Sequence, residues 1–151
     1  MSPEDRIEIE RLVFSYARYV DTTEYDALGA LFEHGEITSN KQSGDTRAAL
    51  RGAAAVSHFY ATTNKGYGAE GARTHHVVTN LEFQPQTSPD EVRLFSCFTV
   101  FQRTPTLALQ PIVCGRYRDA FRKTDGRWHF TEKFIDVTLI GDLSQHLNIT
   151  L

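Results

Sequence analysis

Nothing in the 151 residues amounts to a run of one charge: 16 basic and 19 acidic side chains are interspersed, for a formal charge of -3. A chain that follows a phosphate backbone concentrates its cations, so nucleic acid is not an expected partner. No stretch approaches the roughly 20 consecutive apolar residues that cross a bilayer, so no membrane association is expected. The first residues carry Glu4, Asp5, Arg6, Glu8, Glu10 and Arg11 where a signal peptide needs an apolar segment, and the expected location is therefore cytoplasmic. Cysteine is scarce: Cys97 and Cys114 form no CxxC motif and read as free thiols in apolar, strand-like surroundings. The six histidines fall into no HExxH or HxH pattern with carboxylates, so neither a metal nor another cofactor is expected.

What is present is enough apolar material, 40% of residues, to close one core, and the length suits a single domain over 1–151. Ile7, Ile9, Leu12, Val13, Tyr16, Ala17 and Val20 recur at helical spacing after Ser2-Pro3, with Asp5 placed for a capping box. Asp21-Thr22-Thr23 interrupts this helix. A shorter helix carries Tyr25, Leu28, Leu31 and Phe32 and ends near Gly35. A strand over 36–40 and a helix over about 52–64, with Ala55, Val56, Phe59 and Tyr60 on its apolar face, follow. The second half changes period, and 74–83, 91–102, 109–123 and 127–140 read as four antiparallel strands. Asp125-Gly126 marks the last hairpin. Helices first and a meander after predict an α+β fold with the N-terminal helices packed on a curved antiparallel sheet. Val92, Leu94, Phe98 and Val100 are taken as an outer apolar face through which a homo-oligomer, dimer or trimer, would form.

Three segments bear on chemistry. Gly66, Gly68 and Gly71 imitate GxGxxG, but they follow a helix and precede a strand, the reverse of a dinucleotide site, so a flexible loop is expected. In Thr74-His75-His76-Val77-Val78-Thr79-Asn80, successive side chains point to opposite faces and only one histidine can enter a given cavity. Asp21 ends an apolar helical face, where a carboxylate is costly unless paired. A strand histidine is by default a hydrogen-bonded core residue and a helix-end aspartate a capping group. Joined, Asp21 and His76 would instead form the minimal unit for taking a proton near neutral pH.

The segments Tyr16-Ala17-Arg18-Tyr19-Val20-Asp21, Tyr25-Asp26-Ala27-Leu28, 74–80, Gly115-Arg116-Tyr117-Arg118-Asp119-Ala120-Phe121, Asp125-Gly126-Arg127-Trp128 and Ile140-Gly141-Asp142-Leu143-Ser144-Gln145-His146-Leu147 resemble the SnoaL-like group of the nuclear-transport-factor-2-like superfamily. The resemblance implies its cone-shaped fold. Characterised relatives, scytalone dehydratase and hexachlorocyclohexane dehydrochlorinase, use an Asp–His dyad to remove a proton from carbon, and their catalytic pair falls on Asp21 and His76. The dehydrochlorinase's leaving-group arginine falls on Lys133 and its first-helix lysine on Tyr16. The polar residues with which scytalone dehydratase holds its substrate fall on Gly115 and Tyr117, and its second histidine has no counterpart over 91–102. The resemblance therefore implies a cofactor-independent lyase (dehydratase or dehydrohalogenase) or isomerase of a cyclic, hydrophobic small molecule. The alternative is a non-catalytic small-molecule-binding protein or an accessory protein like an oxygenase small subunit. Expected pocket residues are Tyr16, Phe14, Phe59, Tyr60, Phe98, Tyr117 and Lys133.

Overall fold

A computed structural model describes residues 1–40 and 49–151. Helix α1 spans Pro3–Thr22, opened by the reciprocal Ser2–Asp5 capping box and closed by Thr23 in the left-handed conformation. Its buried residues Ile9, Val13, Tyr16, Ala17 and Val20 form one stripe. Ile7 lies off it, half exposed. Helix α2 (Tyr25–Ala30), strands β1 (Glu36–Ser39) and β2 (Leu50–Arg51) and helix α3 (Gly52–Thr63) follow, then a 3-10 turn at Gly68–Glu70. The chain then runs through β3 (Thr74–Phe83), β4 (Glu91–Thr104), β5 (Leu107–Thr124) and β6 (Arg127–Ile140).

One six-stranded sheet has the order β2-β1-β6-β5-β4-β3. β3 to β6 are an antiparallel meander, but β1 runs parallel to β6, so the sheet is mixed rather than wholly antiparallel. No hairpin joins β1 to β6, and nothing local imposes the antiparallel direction there. The register slips between Thr79 and Glu82, between Val100 and Phe101 and between Ala120 and Phe121. Such bulges add bend and twist, curling the sheet around the helices.

The inward face of this sheet corrects one expectation. Val92, Leu94, Phe98 and Val100 are all buried in the core beside α1, so they cannot form an outer association surface. Alternation instead puts Arg93, Phe95, Cys97 and Thr99 on the outside. Cys97 and Cys114 are free and half-buried. At the far end, Trp128 is buried and its indole N–H donates to Asp5 (2.8 Å), which also accepts from Lys123 (2.7 Å). Those two bonds, Lys123 foremost, hold the Asp5 carboxyl far below the usual carboxylate range. No helix among the described residues is long and apolar enough to cross a membrane.

Candidate functional site

Asp21 sits in the last turn of α1, and the chain beyond the 3-10 turn presses against it. The Ala72 N–H donates to the Asp21 carbonyl (3.0 Å), and a β carbon on Gly71, whose φ is +60°, would collide with that same oxygen. The glycine loop thus supports Asp21 by close backbone approach, a contact only glycine permits. This delivers β3 with its first turn of side chains over the carboxylate. Thr74 Oγ1 donates to Asp21 Oδ1 (2.7 Å), the His76 backbone N–H to Oδ2 (2.9 Å), and His76 Nδ1 lies 2.6 Å from Oδ1.

Burial pushes the Asp21 carboxyl up, but the bonds and charge from His76 and the bond from Thr74 outweigh it and hold it below its ordinary value. An ionised carboxylate only accepts, so the imidazole proton lies on Nδ1. Nε2 therefore carries the lone pair, without a hydrogen-bond partner among the described residues, and the ring, 6% exposed, lines a cavity of about 330 Å³. His75, on the opposite face of β3, is exposed.

The cavity lies between the inner face of the sheet, α1, α3 and the segment after β6. Of the residues expected there, Tyr16, Phe59, Tyr60, Phe98 and Tyr117 line it with His76. Asp21 does not line it and stands behind His76. Phe14 is corrected: it follows Val13, one helical step round from the stripe, and is 47% exposed. Lys133 is corrected too. It points inward from β6 but is sealed at 0% exposure, its Nζ donating to both oxygens of equally sealed Asp119 (3.0 Å each). The ammonium lies 3.5 Å from the Tyr117 ring centroid and 4.4 Å from that of Tyr16, so two cavity tyrosines screen it from any ligand. Burial pushes both members of this pair toward neutrality, against their mutual attraction.

The tyrosines are linked. The hydroxyls of Tyr16 and Tyr60 are 2.7 Å apart, and the ring of Tyr16 meets those of Tyr60 and Tyr117 edge-on. Burial, above all, raises the pKa of Tyr60 to about 12 and those of Tyr16 and Tyr117 well above their ordinary value. All three stay protonated, and since one hydroxyl of the Tyr16–Tyr60 pair donates to the other, one of that pair and Tyr117 keep a proton for a ligand. The Phe98 ring stacks on Tyr117 (4.4 Å between centroids, 8° between planes) across the space beside Gly115, where a β carbon would stand 2.7 Å from the Phe98 ring. At Gly115 this wall carries no side chain, where the resemblance would place a polar one.

Reading the sequence missed three participants. Thr74 stood in the quoted segment without a role. Gln102, buried on β4, donates to the carbonyls of Ala72 (3.2 Å) and Gln145 (3.0 Å) and so ties the glycine loop to the segment after β6. That segment brings Leu143, His146 and Leu147 into the cavity wall. His146 stood in a quoted segment without a role; its buried position follows from anchoring contacts distant in sequence. No cluster of His, Cys, Asp and Glu among the described residues could hold a metal ion.

The model of the SnoaL-like domain family matches residues 2–133. The chain belongs to the SnoaL-like family. Solved structures agree on the fold of this family member. A protein of unknown function with a cystatin-like fold from Nostoc punctiforme superposes with a TM-score of 0.74 at 19% identity, over 95% of this chain and 98% of that one. A protein provisionally assigned as a scytalone dehydratase, from Novosphingobium aromaticivorans, gives 0.69 at 23% identity over 92% and 87%. One provisionally assigned as the β subunit of an aromatic-ring-hydroxylating dioxygenase, from the same organism, gives 0.67 at 14% identity over 92% and 93%. No curated protein matches the sequence. These neighbours share the α+β fold of this chain.

Proposed function

We propose that this protein is a cofactor-independent lyase or isomerase that removes a proton from the carbon next to a carbonyl in a compact, cyclic, hydrophobic molecule. The observation that carries the proposal is the 2.6 Å contact of Asp21 Oδ1 with His76 Nδ1, which leaves Nε2 unpartnered at an otherwise largely apolar cavity. His76 Nε2 takes the proton as general base, and ionised Asp21 holds the tautomer and stabilises the imidazolium that forms. The electron pair of the broken C–H bond moves into an enolate, whose oxygen the hydroxyls of Tyr16, Tyr60 or Tyr117 can receive. At about 330 Å³ the cavity is at the small end of ligand pockets, roughly 300–1,000 Å³, which suits a molecule of one or two rings.

The screening of Lys133 favours a second reading. With that cation out of reach, a departing halide finds no lysine or arginine among the described lining residues to receive it, and the cavity also suits a binding or accessory protein in which His76 only hydrogen-bonds its ligand. Exchange of α-protons in D2O, followed by NMR on cyclohexanone, 1-tetralone and 2-tetralone, separates the two. The proton-abstraction reading expects exchange by the wild-type protein and its loss in His76→Ala. Exchange unaffected by His76→Ala sinks it.

A further inference from the structure

His146 is the one buried titratable ring in the cavity wall that the scheme above leaves without a task. It is 6% exposed, and its Nδ1 is sealed and has no hydrogen-bond partner among the described residues. Only its backbone is engaged, the N–H donating to Leu143 O (2.9 Å) and the carbonyl accepting from Lys65 N (2.8 Å). An orphaned buried N–H is rarer than an orphaned acceptor, so the ring proton belongs on Nε2, the nitrogen left to face the cavity. A neutral N–H donor on the same cavity as the base is the group that polarises a carbonyl without adding a charge.

We infer that His146 is a second catalytic residue of this site, whose Nε2–H binds the substrate's carbonyl oxygen and receives the negative charge formed there when His76 removes the adjacent proton. The inference rests on the dyad reading and narrows it to carbonyl compounds able to form an enolate. The balance is closed. The C–H proton passes to His76 Nε2, and its electron pair becomes the enolate C=C with the charge on oxygen. Collapse of the enolate either expels a β-substituent or recovers the proton from His76 at another carbon. An expelled hydroxyl takes the proton back from His76 and leaves as water, whereas an expelled halide leaves as the anion with that proton passing to solvent. His146 neither gains nor loses a proton. Burial, then the neighbouring His76, depress its pKa to about 4, against the pull of Asp21, so no second cation opposes protonation of His76.

Two measurements test this without turnover. Long-range 1H–15N spectra of the 15N-labelled wild-type protein at pH 7 should show His146 neutral with its proton on Nε2; a proton on Nδ1, or an imidazolium, overturns the inference. 2-Naphthol, a planar mimic of an enolate, should bind the wild type and the His146→Gln variant, which keeps a donor near the Nε2 position. It should bind His146→Phe up to about tenfold weaker, the loss expected for one hydrogen bond to its neutral hydroxyl oxygen. Naphthalene, bound alike by all three, reports an intact cavity. No naphthol binding by the wild type, or equal binding by wild type and His146→Phe, overturns the inference and leaves the exchange result standing. α-Proton exchange that survives His76→Ala defeats the dyad reading and leaves the tautomer and naphthol results standing.

Discussion

Gly71 and Asp21 touch through their backbones, with no room between the glycine α carbon and the aspartate carbonyl oxygen for a side chain. Of the three glycines that imitate a phosphate loop, Gly71 alone fits against the end of α1, whereas a β carbon on Gly66 or Gly68 would meet nothing within 4 Å. Gly71→Ala would combine a collision with backbone and a φ of +60° that L residues rarely adopt. The expected result is a loss of about 1–3 kcal/mol in chemical denaturation. The 1H shift of the bonded His76 Nδ1–H should move as well, because Asp21 can yield only by moving its carboxylate.

Asp21→Asn preserves shape but removes the charge that fixes the His76 tautomer. Under the proton-abstraction reading, α-proton exchange should fall by about 10²–10⁴-fold. The unfolding midpoint should fall as well, because an amide cannot accept all three hydrogen bonds that the carboxylate receives. A variant that exchanges as fast as wild type would separate the hydrogen bond from the chemistry.

Lys133 and Asp119 form a sealed pair, and removing one partner strands the other. Lys133→Met alone should cost about 3–5 kcal/mol, whereas Lys133→Met with Asp119→Leu should recover most of it. A double-mutant cycle by urea denaturation checks this, and additive losses would refute the coupling.

His146 also predicts how stability follows pH. Its folded pKa of about 4 lies below the ordinary 6.5, so the unfolded chain binds the extra proton first. Its contribution is complete above about pH 6.5 and is lost as pH falls toward 4, with a slope of at most about 1.4 kcal/mol per pH unit. The groups acting on it are His76, which lowers its pKa, and Asp21, which raises it. Denaturation at several pH values should show His146→Gln flatter than wild type across this window. Parallel curves would mean the ring is hydrated.

These cases separate what the sequence makes legible from what it does not. The capped α1, the four long strands and the Asp125-Gly126 turn rest on local spacing and turn chemistry, which a sequence displays directly. Phe14 was misplaced because one step along a helix rotates a side chain about 100°, and Val13 already held the inward position. Lys133 was misjudged for a non-local reason. Its partner Asp119 stands opposite it only through the β5–β6 register beyond the slip at Ala120/Phe121. The place of His146 depends on Gln102, Tyr67 and Lys65 gripping carbonyls of the segment after β6, contacts 43, 78 and 79 residues apart in the chain.

The position of Trp128 bears on how any of this can be watched. The protein's single tryptophan is clamped by Asp5 and Lys123 and lies outside the cavity lining. Its fluorescence should follow global unfolding while staying blind to a ligand in the cavity. Occupancy must be read from the ligand's own absorbance or from the tyrosines. The denaturation curves proposed above are then free of optical interference from binding.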